Sequence, residues 1–262
     1  MTRALTIARV VWLEMIRRKD AYVLLILLVT LLFILLSLNV LGLGGVVRYV
    51  MDVGLLFAWL FSIILGVSTA ARQLPQEEAK RTIYPLLAKP VKRSNVIVGK
   101  WLGSWTITVC CTLVFYALVL GVVHLREGSF QWETVLQGFL LHGIAAGVIV
   151  ALSIAVSTHM TYGAAASIAY ILVAGAFSIA SRVPELLVHA EGFAGTGLLV
   201  IYYALPHLDL FDLRLRIVHE WGAVPWKTWA FLTAYGLMWI ALLLVLAWLG
   251  YRKKRFKRGA MG

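Results

Sequence analysis

Ser157-Thr158-His159-Met160-Thr161 is the one polar run in a stretch that is otherwise largely apolar from 134 to 181. Read as a turn, it divides that stretch into two spans, 134–158 and 162–181. Apolar stretches long enough to cross a bilayer also lie near 21–43, 53–71, 101–123 and 228–250. The turn therefore makes six spans with both ends on one side. Without it there are five, with the ends on opposite sides.

Basic residues decide between these readings, because Lys and Arg collect on the cytoplasmic side of a membrane protein. With six spans, one side holds the N-terminus, the 72–100 loop, the 157–161 turn and the C-terminus. That side carries 18 of the 24 Lys and Arg residues and four of the twelve acids, a net +14. The other side carries six basic residues and eight acids, a net −2. Five spans would export the basic cluster from Arg252 to Arg258. The expected arrangement is an all-α, multi-pass plasma (inner) membrane protein with six transmembrane helices and both termini cytoplasmic.

Composition agrees. Apolar residues make up 61% of the 262 residues, charged residues only 14%, and the mean hydropathy is +0.89. These values exclude a soluble enzyme, a disordered chain and a disulfide scaffold. The net charge of +12 flanks apolar runs, so it points to anionic membrane lipid and not to nucleic acid. Cys110 and Cys111 are adjacent and say little about redox compartment. No small-residue cleavage pattern follows the first span, which reads as a true span and not a signal peptide.

Over 1–19, Ala4, Leu5, Ala8, Val11, Trp12, Met15 and Ile16 share one helical arc, with Arg3, Thr6, Arg9, Glu14 and Arg17 opposite. The expectation is an interfacial amphipathic helix with its apolar face in lipid, Trp12 among that face and Arg9 and Arg17 among headgroups. It either anchors the first span or passes on motion from a cytoplasmic partner.

The 72–100 loop reads as short helical pieces. Pro75 suits a first helical turn, with Glu77 and Glu78 near its positive end. Ile83, Leu86 and Leu87 form a small apolar patch, and Pro85 and Pro90 keep the pieces short. Ser94 can cap a helix that runs through Gly99 and Lys100 into the third span. Such a segment suits docking into a soluble partner, or is an ordinary charged loop. The segment 182–227 is too long for a simple connection, and its apolar run 193–205 reads as an interfacial or re-entrant helix.

Chemistry is sparse. No acid, Lys or Arg lies within the six spans as drawn, and His142 is the one ionisable side chain well inside apart from the cysteines. A lone intramembrane His reads first as a hydrogen-bonded packing residue. His159-Met160 is a weak metal motif, and the chain has neither a zinc-protease motif nor a complete phosphate loop. No catalytic residue, metal or cofactor is expected in this chain. Gly143-x-x-x-Gly147 and Gly163-x-x-x-Ser167 allow close helix contact, either within the chain or across a dimer.

The pattern Glu78-x-x-Arg81-Thr82-Ile83-x-x-Leu86-Leu87-x-Lys89-Pro90-Val91-x-Arg93, followed by Gly99-Lys100, resembles the type-2 ATP-binding-cassette (ABC) permeases, closest to the branch named for multi-copper enzyme maturation. The resemblance implies one permease domain over 1–262, with an interfacial N-terminal helix and six spans. It also implies a coupling helix between the second and third spans that contacts a separate ATPase subunit. Its coupling residues would be Glu77, Glu78, Arg81, Thr82, Ile83, Leu86, Leu87, Pro90, Arg93, Gly99 and Lys100. ATP and Mg would be bound by that partner, and a second permease chain, a copy or a paralogue, would complete an exporter's pathway. Arg81, where many members have Gly, and Pro85 depart from the family pattern. A non-transporting membrane anchor and an intramembrane hydrolase are the alternatives. Lipid, peptide, drug, or a sulfur or copper species all fit as substrate.

Overall fold

The computed structural model describes residues 2–37, 46–79, 92–126, 128–178, 182–183, 185 and 193–253. Helices α1 (Thr2–Arg18), α2 (Asp20–Ser37), α3 (Val46–Ala79), α4 (Arg93–Leu125), α5 (Trp132–Ser157) and α6 (Tyr162–Ser178) lead to a segment of short helices, called the outer segment after the side on which the sequence reading expects it. That segment holds α7 (Phe193–Ala204), a 3-10 turn (Leu208–Phe211) and α8 (Arg214–Val218), and α9 (Trp226–Lys253) closes the fold. No strand occurs among the described residues.

Among the described residues four helices, α3, α4, α5 and α9, are long and apolar enough to cross a membrane. Helices α2 and α6 have 18 and 17 residues, at the short limit for a span. The readings for these two ran on to 43 and 181, and 38–45 and 179–181 lie outside the described residues.

Contacts fix which ends lie together. Helix α6 runs antiparallel to α3: Arg72 stacks over Tyr162, Tyr170 donates to the Ile64 carbonyl, and Phe177 meets Trp59 edge-on. At the same end Arg93 holds the last turn of α9, and Gly250 of α9 faces Thr158 and His159. The ends of the 72–100 region, the 157–161 turn and the end of α9 thus share one end of the bundle. The opposite end joins Asp52 to Arg214 (3.4 Å), Ser129 to Glu220 (2.6 Å) and Gln137 to Val224. The Gln137 amide, fully buried, donates to the Val224 carbonyl at 3.0 Å and accepts from the Val224 N–H at 2.8 Å. A polar side chain in the α5 wall is thereby satisfied while it pins the outer segment.

Two expectations change here. Pro75 lies inside α3, which continues to Ala79. It deprives one carbonyl, that of Ala71, of its helical donor, yet Gln73 and Leu74 beside it are buried, and this packing holds the helix past the proline. Ser94 is not a cap, since α4 begins at Arg93 after Lys92 and has no side-chain cap.

Helix α1 also departs from its expected setting. Ala8, Val11 and Met15 are buried against protein, while Leu5 and Ile16 stay exposed. The cause is Gly99-x-x-x-Gly103 at the start of α4. A Cβ at Gly99 would lie 2.8 Å from the Ala4 carbonyl oxygen, and one at Gly103 would lie 2.7 Å from Val11 Cβ. Two missing side chains let the helices touch, as small residues do in membrane helix pairs. Trp12 Nε1 adds a hydrogen bond to Thr106 Oγ1 at 2.9 Å. Arg9 and Arg17 are exposed.

Candidate functional site

The expected coupling residues fall into two groups. Arg81, Thr82, Ile83, Leu86, Leu87 and Pro90 lie outside the described residues. Glu77, Glu78, Arg93, Gly99 and Lys100 form the two roots of that segment, at the end of α3 and the start of α4.

Lys100 is the centre of these roots. It is 1% exposed. Its Nζ lies 2.6 Å from Glu77 Oε1, 3.1 Å from the Gln73 carbonyl and 3.3 Å from Gln73 Oε1. An ammonium has three protons to give, and three acceptors surround it. A buried charge is tolerable only when paired in this way. Gln73 and Glu77 are four residues apart and so share one face of α3, which exists only because the helix continues beyond Pro75.

Arg93 makes the second tie. One of its nitrogens donates to the carbonyls of Tyr251 (2.9 Å) and Arg252 (2.8 Å), and its guanidinium lies 5.8 Å over the Tyr251 ring. Arg72, 3% exposed, lies against Met15 of α1 and over Tyr162 of α6. Arg18 of α1 reaches Gln76 at 3.2 Å. The end of α3 and the start of α4 therefore meet where α1, α6 and α9 also come together. Sequence reading missed Arg72, Gln73 and Tyr251. The available signal was Gln73 and Glu77 at helical spacing, which the proline obscured.

A groove of about 520 Å³ runs along α3 and α6. Leu56, Trp59, Leu60, Ile63, Tyr170 and Phe177 line it, and Asp212 stands at its outer end. Behind Trp59 sits His142, its ring stacked on the indole at 3.8 Å. The Ser62 hydroxyl donates to the Trp59 carbonyl at 2.8 Å, so its oxygen accepts from His142 Nε2–H at 2.6 Å. That leaves Nδ1 to accept from the Tyr116 hydroxyl at 3.3 Å. Both ring nitrogens are satisfied, as a buried imidazole requires. Among the described residues no three His, Cys, Asp or Glu side chains are placed to hold a metal.

Gly143 and Gly147 are used within the chain. The stacked indoles of Trp101 and Trp105 donate to their carbonyls, Trp105 to Gly143 at 2.7 Å and Trp101 to Gly147 at 3.0 Å. Gly163 has nothing within 4 Å of its Cβ position.

A helical bundle with several helices long and apolar enough to cross a membrane, and charged roots at one end, is the architecture of a multi-pass membrane protein. The pattern common to the ABC-2 family transporter protein matches residues 69–258, and the chain belongs to that family. The match begins within α3 and takes in the roots, the groove helix α6, the outer segment and α9. It supports a membrane permease subunit, non-catalytic and without a cofactor of its own, of the kind that associates with an ABC ATPase. No curated protein matches the chain.

Proposed function

We propose that the chain is the permease subunit of an ABC exporter in the plasma membrane. It has six spans, counting α2 and α6, and both termini are cytoplasmic. A separate ATPase binds ATP and Mg and docks on the 80–91 segment through Ile83, Leu86 and Leu87. Two permease chains, identical or paralogous, complete the pathway. The α3–α6 groove contributes one wall of it, and its largely aromatic and aliphatic lining, with the Asp212 carboxyl at one end, suits an amphiphilic substrate.

The observation that carries this reading is how the residues flanking the 80–91 segment are held. The Glu77–Lys100 pair stiffens its two roots, and contacts from those roots reach α1, α6 and α9. A push on the segment then displaces several helices together. Closure of the ATPase dimer supplies such a push and moves the pathway between inward-open and outward-open states.

The test is Leu87→Glu in the permease–ATPase complex, in lipid nanodiscs. Truncating a well-packed interface anchor costs about 1–4 kcal/mol, and an unpaired buried charge more. The expected result is loss of ATPase retention, or hydrolysis no longer linked to substrate movement. Unchanged retention with transport-linked hydrolysis would return the segment to an ordinary charged loop. ATPase activity without any substrate movement in the unaltered complex would favour the membrane-anchor reading.

A further inference from the structure

Arg93 opens α4, directly after the segment that joins it to α3, and it grips residues 158 and 159 positions further along the chain. Helix α9 is described as far as Lys253, and the Tyr251 and Arg252 carbonyls that Arg93 grips lie in its last described turn. A guanidinium placed there makes charge-assisted bonds that lysine, a point charge without a fork, reproduces only in part. One residue earlier, the hydrogen of Gly250 lets the 158–159 turn close in: a Cβ there would lie 2.6 Å from His159 Nε2.

Helix α9 has 28 residues and no proline, so it is a stiff rod about 40 Å long. One stripe, Ile240, Leu243, Ala247 and Tyr251, is buried, while Leu242, Val245, Leu246 and Leu249 are exposed. Its outer part is also fastened. The Tyr235 hydroxyl accepts from the His207 N–H at 3.1 Å, and so donates to His207 Nδ1 at 2.9 Å. Next to it, a Cβ at Gly236 would lie 3.0 Å from Phe211 of the 3-10 turn.

We infer that α9 is the element that carries displacement of the 80–91 segment to the outer segment 205–212. Arg93 is the positioning residue that joins it at the inner end, and Tyr235 joins it at the outer end. The inference rests on the reading of 80–91 as the ATPase-coupled segment. It adds a second route to the direct one through α3, and gives the outer segment a part in the transport cycle.

The experiment uses the permease purified with its accompanying ATPase, in nanodiscs, in a background with Cys110 and Cys111 replaced. Nitroxide pairs report an inner distance (Val98→Cys with Leu249→Cys) and an outer one (Leu210→Cys with Trp132→Cys), with and without Mg-ATP and vanadate. All four sites are exposed. Both distances should shift with nucleotide in the otherwise unaltered complex. Arg93→Gln should cut the outer shift by at least half while the ATPase stays bound, and Arg93→Lys should restore part of it. Tyr235→Phe should cut the outer shift and leave the inner one, which tests the route even if Arg93→Gln fails to assemble. An undiminished outer shift in Arg93→Gln or in Tyr235→Phe overturns the inference. An inner shift without an outer one overturns it alone. No shift in either pair removes the coupling reading as well.

Discussion

Lys100 of α4 is buried with its ammonium 2.6 Å from the Glu77 carboxylate of α3. The bond joins the end of α3 to the start of α4, the two residues standing on either side of positions 80–91 in the chain. It also places a full charge inside the bundle, at the same end as the buried Arg72.

Breaking one side of this pair should be far worse than replacing both. Glu77→Gln leaves an uncompensated ammonium and should cost about 3 kcal/mol. Lys100→Met with Glu77→Leu should recover most of that loss. Thermal unfolding in nanodiscs measures both. Equal destabilisation by the single and the double variant would show that the pair is not coupled.

The Gly143-x-x-x-Gly147 stripe should matter for folding and not for oligomeric state. A Cβ at Gly147 would lie 2.9 Å from Ile240 Cδ1 and 3.3 Å from Trp105 Nε1. Gly147→Val should therefore destabilise by about 1–3 kcal/mol through overpacking. Trp105→Phe should cost about 1 kcal/mol for one lost hydrogen bond. Gly163→Ala, in open space, should stay within about 0.5 kcal/mol. Native mass measurement should give the same number of permease chains for each variant. A lower number in Gly147→Val would place the stripe at a chain–chain contact.

Sidedness can be tested at two exposed residues, Met160 in the α5–α6 turn and Trp221 in the outer segment. In a background free of cysteine, Trp221→Cys should react with an impermeant thiol reagent in intact cells. Met160→Cys should react only after lysis. Reaction at Met160→Cys in intact cells would overturn the six-span topology.

The outer segment should respond to acid. Burial raises the Asp209 carboxyl above its usual value, and Asp212 is raised for the same reason. Asp209 Oδ1 has no hydrogen-bond partner. A carboxyl raised on folding stabilises the fold below its unfolded pKa, near 3.9, and that contribution is lost as pH rises through the folded value. Asp209→Asn should thus raise the melting temperature by roughly 1–3 °C at pH near 7, and the advantage should fade towards pH near 4. Parallel melting curves at both pH values would count against the burial effect.

Much of the architecture was legible in one dimension. The 157–161 turn separates α5 from α6 where the polar run stands, and the apolar run after 193 is a helix. His142 is hydrogen-bonded through both ring nitrogens, as expected of a lone intramembrane histidine. The reading went astray where a local signal met a distant contact. Pro75 marks a helix start by propensity, but the burial of Gln73 and Leu74 and the Glu77–Lys100 bond keep α3 intact beyond it. The apolar arc of α1 suits lipid as well as protein, and Gly99 and Gly103 turn it onto α4.

What the sequence by itself determined is the kind of protein: membrane-spanning helices, their order, and a family-specific motif at residues 78–100. Hydropathy and charge are properties of single residues summed along the chain, so they survive without coordinates. Only the tertiary structure decided the partners. Lys100 with Glu77, Trp105 with Gly143, Arg93 with the end of α9 and Tyr235 with His207 each join different elements of the fold. Such a pair exists only once packing has brought two helices within hydrogen-bond reach, and no periodicity in either helix specifies which residue of the other will stand opposite.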